Sequence, residues 1–305
     1  MPTLPFPKPP ALTQEQIRHY IDSEGVAFYA QHGWYLSKPI IPHALLDKAL
    51  EGIKRYEAGQ RDCVIDKRAT TLDWSKESAQ TIRVNGYLSL QVKAVRELLC
   101  HPPIAAIAAQ LAVTPQIRLF HDRLIVKPGG LPKPATETGW HTDIAYWKTS
   151  TSQNLLTAWI PFQDCDEYNG SLAVIKGSHR WRPVNTEPRF FDGDENGVLP
   201  SNMKPAGMDA EPTVVRIKKG QVSFHHCYVL HRSVPNLSDH QRYALAVHLQ
   251  DASNQYKHYY QANGRLLVHS NDLICQQNAD GLPDYQDQSI FPLLFDNHAR
   301  SAAAE

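Results

Sequence analysis

The sequence predicts a mainly β domain with flanking helices, and three observations carry that expectation. From Pro115 onward, short β-rich runs alternate with Gly and Pro turns, the texture of an all-β sandwich or barrel. The first hundred or so residues carry helical caps and helical apolar spacing instead. Few helical stretches interleave with the strands, which argues against a doubly wound parallel sheet. The 305 residues suit one such domain and can bury a sizeable core.

The elements follow in order. Thr13, Gln14, Glu15 and Gln16 form a capping-box pattern, so a helix is expected to about Gln31, stopped by Gly33. Pro42 begins a second helix, in which Leu45, Leu46, Ala49, Leu50 and Ile53 share a face and Gly59 is the stop. Residues 60–86 are polar and aperiodic, as suited to a lid or substrate loop as to a plain surface connection. Helical character returns from about Ser89 to Ala112, broken by Pro102 and Pro103.

Candidate strands are Gln116–Lys127, Gly139–Ala145, Leu155–Phe162, Ser171–Ile175, Thr213–Ile217, Val222–Val229 and Arg242–Gln250. The Pro-rich run over about 180–212 reads as an insertion. The end, from about Tyr256, has weak periodicity and a turn at residues 280–283. The expected organisation is one domain: 1–112 mostly helical, 113–255 the β core, and 256–305 a C-terminal extension.

Composition narrows the function. Thirty-one basic residues balance 31 acidic ones, and no basic run stands out. Nucleic-acid binding therefore has no electrostatic support. No apolar run approaches the about 18 residues of a membrane span. The Pro-rich start lacks a signal-peptide core, and the last residues are not a peroxisomal address. Five scattered cysteines without a C-x-x-C pattern suit free thiols in a reducing compartment. A cytoplasmic enzyme acting on a small molecule is the expectation. The sequence gives no reading of oligomeric state.

One constellation carries chemistry. His141 and Asp143 stand two residues apart, and alternate strand residues point to one face. An imidazole and a carboxylate suit Fe(II), and a second His would complete the two-His, one-carboxylate face of an oxygenase site with open positions opposite. His225, His226, His231 and His240 are candidates for that ligand. His231 is favoured because Ser233 follows it by two residues and Arg242 by eleven. A guanidinium holds a carboxylate through two parallel hydrogen bonds, and a hydroxyl adds one more. Alone, an H-x-D pair is commonly an ordinary polar pair; the joint order on β-rich sequence is what points to metal chemistry.

The motif WHTD over residues 140–143 resembles the phytanoyl-CoA dioxygenase family of Fe(II)/2-oxoglutarate oxygenases. So do NGSLAVIKGSH over 169–179 and FHHCYVLHRSVPN over 224–236, followed by Arg242. The resemblance covers about residues 20–295. It implies a double-stranded β-helix (jelly-roll, cupin-like) core with flanking helices. It implies His141, Asp143 and His231 as metal ligands, with Arg242 and Ser233 on the distal carboxylate of 2-oxoglutarate. Trp159 matches a position lining the co-substrate pocket. Halogenating members of the family lack the carboxylate ligand, so Asp143 argues for oxygen insertion or another hydrogen-abstraction outcome. The implied reaction consumes 2-oxoglutarate and O2 and yields succinate, carbon dioxide and an oxidised, most simply hydroxylated, substrate.

Substrate residues are less marked. Tyr146 and Trp147 follow the metal-binding stretch. His121, Arg123, Ile125 and Lys127 share a strand face, with Arg123 suited to an anionic substrate and Lys127 to assisting the co-substrate. Arg83, Asn85 and Tyr87 are candidates for a closing lid. Together they favour a small polar metabolite or natural-product intermediate over a bare fatty chain. Two other readings compete: a cupin-like hydrolase or isomerase using the same ligands without 2-oxoglutarate, and a non-catalytic jelly-roll that binds a small acid.

Overall fold

The computed structural model describes residues 5–65, 81–130, 138–181, 198–208 and 210–297. Helix α1 is Gln14–Tyr20 and α2 is Ser23–His32. The capping box at Thr13 and Gln16 is present. The single helix expected to Gln31 is two, because Asp22 caps a second start by accepting from the Gly25 amide at 2.9 Å. Gly33 ends α2 at φ +75°, a left-handed turn that glycine adopts without strain. Strand β1 (Trp34–Leu36) follows at once, and α3 is His43–Glu57.

The expected lid at 60–86 divides. Residues 66–80 lie outside the described residues, whereas β2 (Arg83–Gly86) is a regular strand. Helices α4 (Leu88–Gln91), α5 (Lys93–Leu99) and α6 (Pro102–Leu111) come next, with Pro102 and Pro103 opening α6 rather than kinking a longer helix.

Strand β3 (Gln116–Lys127) has its expected bounds. The strand expected at Gly139–Ala145 is not formed. His141 makes one antiparallel bridge with His231, and Asp143 opens a 3-10 turn closed by Tyr146 N–H to the Asp143 carbonyl at 3.0 Å. Thr142 between them is extended, so the two side chains still share a side. Then come β4 (Leu156–Pro161), β5 (Leu172–Ile175), β6 (Pro212–Val214), β7 (Ser223–His226), β8 (His231–Ser233), β9 (Arg242–Asp251), α7 (Ser270–Ile274) and β10 (Leu293–Asp296). Of the expected insertion, residues 182–197 and 209 lie outside the described residues, and its end is already β6.

Among the described residues, two sheets form the core. The larger runs β1-β7-β4-β9-β3-β10, with β2 also on β3; the smaller runs β6-β5-β8. All named pairings are antiparallel. The outer face of the larger sheet presents Leu124, Val126, Leu156, Ala158, Leu245 and Val247 to the helices, which cover it with Leu46, Ile53, Leu98 and Ile107. Its inner face meets the smaller sheet: Ile125, Trp159, Ala244 and Ala246 pack with Leu172 and Val174. The cavity lies between these inner faces.

A bulge decides which β3 residues enter it. Leu119 pairs with Leu249, but His121 pairs with His248, leaving Phe120 as an extra residue. Before the bulge, Ile117 and Leu119 face the helices; after it, Leu124 and Val126 do. His121, Arg123 and Ile125 therefore face inward. Among the described residues, no helix is long and apolar enough to cross a membrane.

Candidate active site

His141, Asp143 and His231 converge in the cavity, with one ligand atom from each within 4.8 Å of the others. All three are buried. His141 is held by its bridge to β8, and His231 sits on β8 opposite Val174 of β5. Each imidazole is oriented by backbone: Nδ1 of His141 donates to the Gly139 carbonyl at 2.7 Å, and Nδ1 of His231 to the Val229 carbonyl at 3.0 Å. Nε2 is then the ligating atom of each, and a backbone acceptor of this kind is how metal-binding histidines are fixed. Burial pushes the pKa of both rings down, so they stay neutral, as a ligand must be.

Asp143 is anchored through one oxygen. Thr157 Oγ1 donates to its Oδ2 at 2.5 Å and His225 Nε2 donates to the same atom at 3.2 Å. Oδ1 lies 3.7 Å from His231 Nε2. Burial opposes ionisation, but the surrounding histidines, His231 foremost, and the His225 hydrogen bond hold the carboxyl well below its usual range. Thr157 in turn accepts from His248 Nδ1 at 2.8 Å. Two neutral imidazoles and a carboxylate anchored through one oxygen fit a divalent iron with open positions.

Arg242, the first residue of β9, is 1% exposed. Its Nη1 donates to the Ile125 carbonyl at 3.2 Å, while Nε and Nη2 are buried and have no partner among the described residues. A buried guanidinium with two unmet donors calls for a carboxylate. Burial pushes its pKa down to about 10, which leaves it charged at neutral pH. Trp159 lies beneath it, 5.6 Å from guanidinium carbon to ring centre. Ser233 lines the same end, its hydroxyl 3.1 Å from that of Thr138. Gly170, at φ +89°, lets the chain pass close by: a Cβ there would stand 3.0 Å from the Lys127 side chain and 3.5 Å from Arg242 Nε.

The cavity encloses about 610 Å3, its mouth included. It collects His121, Arg123, Tyr146, Trp147, Trp159 and Ser233 of the expected residues, besides the triad and Arg242. Four expectations are corrected. Lys127 does not line the cavity; its ammonium is buried and donates to the Ser233 and Val234 carbonyls, so it supports the chain after β8. Arg83 and Asn85 point to the helix side of β2, toward Glu57 and Tyr56 of α3, because the alternate residues Ile82 and Val84 face the inner core. Tyr87 is buried beside α4 and donates to Asn271. None of these three lines the cavity.

Thr157, His248 and Thr138 were missed. Thr157 stands two residues before Trp159 on one strand, and His248 an even number after Arg242. That alternation was readable. Of the other ligand candidates, His225 serves Asp143, His226 accepts from the Tyr228 amide at 3.2 Å, and His240 is exposed.

The family model described as phytanoyl-CoA dioxygenase matches residues 32–244. The peroxisomal phytanoyl-CoA dioxygenase of Bos taurus is 30% identical over 147 residues, which cover 47% of this chain and 42% of that protein. The chain thus spans less than half of that relative. The 1-deoxypentalenic acid 11-beta-hydroxylase of Streptomyces exfoliatus is 24% identical over 241 residues, covering 74% and 80% of the two chains. The epimerase SnoN from nogalamycin biosynthesis, solved with Fe3+, alpha ketoglutarate and nogalamycin RO, superposes with a TM-score of 0.66 at 22% identity, covering 89% and 97%. The likeness to SnoN is one of fold, and the shared core is the double-stranded β-helix.

Proposed function

The chain belongs to the phytanoyl-CoA dioxygenase family, and on that premise we propose an Fe(II)- and 2-oxoglutarate-dependent oxygenase that hydroxylates a small polar molecule. One observation carries the reading: a buried guanidinium with two unmet donors shares a cavity with a His-Asp-His cluster. A hydrolase or isomerase built on the same three ligands has no use for that guanidinium.

His141, Asp143 and His231 would hold Fe(II). Arg242 and Ser233 would take the distal carboxylate of 2-oxoglutarate, with Trp159 as the wall beneath it. When bound, iron and 2-oxoglutarate supply the oxidation of an unactivated C–H bond by O2, with release of succinate and carbon dioxide. The chain's own part is to hold the ligands neutral and oriented, to keep water from the centre, and to offer the substrate one side of it. Balanced charge favours a small-molecule partner over nucleic acid, and the scattered cysteines favour a cytoplasmic location.

The test is succinate formation from 2-oxoglutarate in air with added Fe(II). The wild-type chain should form succinate, and His141→Ala none. Arg242→Ala should raise the KM for 2-oxoglutarate at least about tenfold, the scale of a lost charge-assisted pair. A chain that binds metal tightly and forms no succinate across a broad panel of metabolites would favour the hydrolase reading.

A further inference from the structure

His121 and Arg123 line the cavity and are used by neither the metal nor the co-substrate. His121 is 2% exposed, and neither ring nitrogen has a hydrogen-bond partner among the described residues. Arg123, two residues on and half-buried at the same wall, has no hydrogen-bond or ion-pair partner among the described residues. A buried imidazole without partners is costly and asks for a ligand. The Phe120 bulge turns both side chains inward, a device found beside active sites.

Charge and place narrow the ligand. Asp143 is the one carboxylate among the described lining residues, and it is committed to the metal. Arg242 is committed to the co-substrate. Arg123 pairs with Ala246, four residues along β9 from Arg242, about 13 Å at a strand's rise. One co-substrate therefore leaves Arg123 without a counter-charge. His121 is kept neutral by burial and by His248, His269 and Arg123, so it offers one N–H donor beside a cation. Trp147 closes over His121 edge-on, with ring centres 5.8 Å apart, and Tyr146 lines the same side.

Resting on the function proposed above, we propose that Arg123 and His121 form an anion-binding subsite for the substrate. The substrate is then a small acid: its carboxylate or phosphoryl group docks on these two residues, and its hydrocarbon part lies against Tyr146 and Trp147.

The experiment is calorimetric titration of the full chain, loaded with Mn(II) and 2-oxoglutarate under argon so that Arg242 is occupied. The probes are phenylacetate, hexanoate and phenylphosphonate, against phenylacetamide and hexanamide. At least one acid should bind about tenfold or more tightly than its amide. Phenylphosphonate above phenylacetate would mark a phosphoryl substrate, and the reverse a carboxylate. Arg123→Ala should erase the preference for acids while 2-oxoglutarate affinity stays within about twofold; Arg123→Lys should keep part of it. His121→Phe, which keeps a ring and loses the N–H, should weaken the acid and spare the amide. The proposal is overturned if no acid outbinds its amide, or if Arg123→Ala weakens 2-oxoglutarate as much as the acid. Failure of the metal-centre reading shows separately, as no binding of 2-oxoglutarate in the loading step. The same titration on metal-free Arg242→Ala still reports acid binding at Arg123.

Discussion

Thr157 and His225 hold Asp143 by the oxygen turned away from His231. A carboxylate fixed through one oxygen presents the other to a metal, and such outer contacts are commonly worth about 10–100-fold in metal affinity. Thr157→Val keeps the shape and removes the hydroxyl. It should weaken Fe(II) binding by about tenfold or more, measured by competition with a coloured chelator, with little change in fold. At this scale the ligands were legible, because His141, Asp143, His231 and Arg242 occur in an order that few other tasks need. Thr157 was not, since a threonine in a strand looks the same whether it faces a carboxylate or solvent. Lys127 misled for a related reason. It shares the inward parity of Arg123 and Ile125, but the chain after β8 closes over it and takes its ammonium.

At the scale of elements, β3 sets the site on one face and the helices on the other. On its outer face, buried Asp122 accepts from the Leu88 amide at 2.8 Å and from the amide and hydroxyl of Ser89, tying α4 to the sheet. Burial pushes this carboxyl up to about 6, although the Ser89 and Leu88 hydrogen bonds pull it down. An unfolded chain ionises the same group near about 3.9. Between those values the folded chain binds the extra proton. The group therefore favours folding most below about pH 4, and that contribution is lost as pH rises through about 6. Urea unfolding at pH 4 and pH 7 should show wild type losing stability relative to Asp122→Asn as pH rises, by about 1–3 kcal/mol. A pH-independent difference would mean that the carboxyl titrates in the folded chain as it does in the unfolded one.

The strands of the core were legible from their alternation and Gly/Pro boundaries, β3 and β4 to within a residue. Three-residue β1 and β8 were not, because two or three side chains establish no period. The stretch 139–145 read as a strand because its residues alternate, yet only His141 finds a partner strand. The bulge at Phe120 left no mark in the sequence: it is a matter of register, visible only once β9 is alongside.

At the scale of the molecule, helices α1 to α6 and the larger sheet share one apolar cluster that runs from Leu12 to Phe295. From that continuity we propose one cooperative unit. Thermal unfolding followed by far-ultraviolet circular dichroism and by tryptophan fluorescence should give one coincident transition. With Mn(II) already saturating, 2-oxoglutarate at about 100 times its dissociation constant should add about a further 2.7 kcal/mol. Separate transitions for the two probes would divide the helical part from the β core. The sequence suggests a single unit only from length and order. Which helices cover which sheet depends on tertiary packing that no local period encodes.

The central claim is that the His-Asp-His cluster and Arg242 together receive iron and 2-oxoglutarate. Anaerobic visible absorption, with Fe(II) added to the metal-free chain and then 2-oxoglutarate, tests it most directly. The account predicts a weak charge-transfer band on adding 2-oxoglutarate to the wild-type chain, its loss in His141→Ala, and a weaker band at equal 2-oxoglutarate in Arg242→Ala. A wild-type chain that shows no band, or a band indifferent to both substitutions, would contradict it.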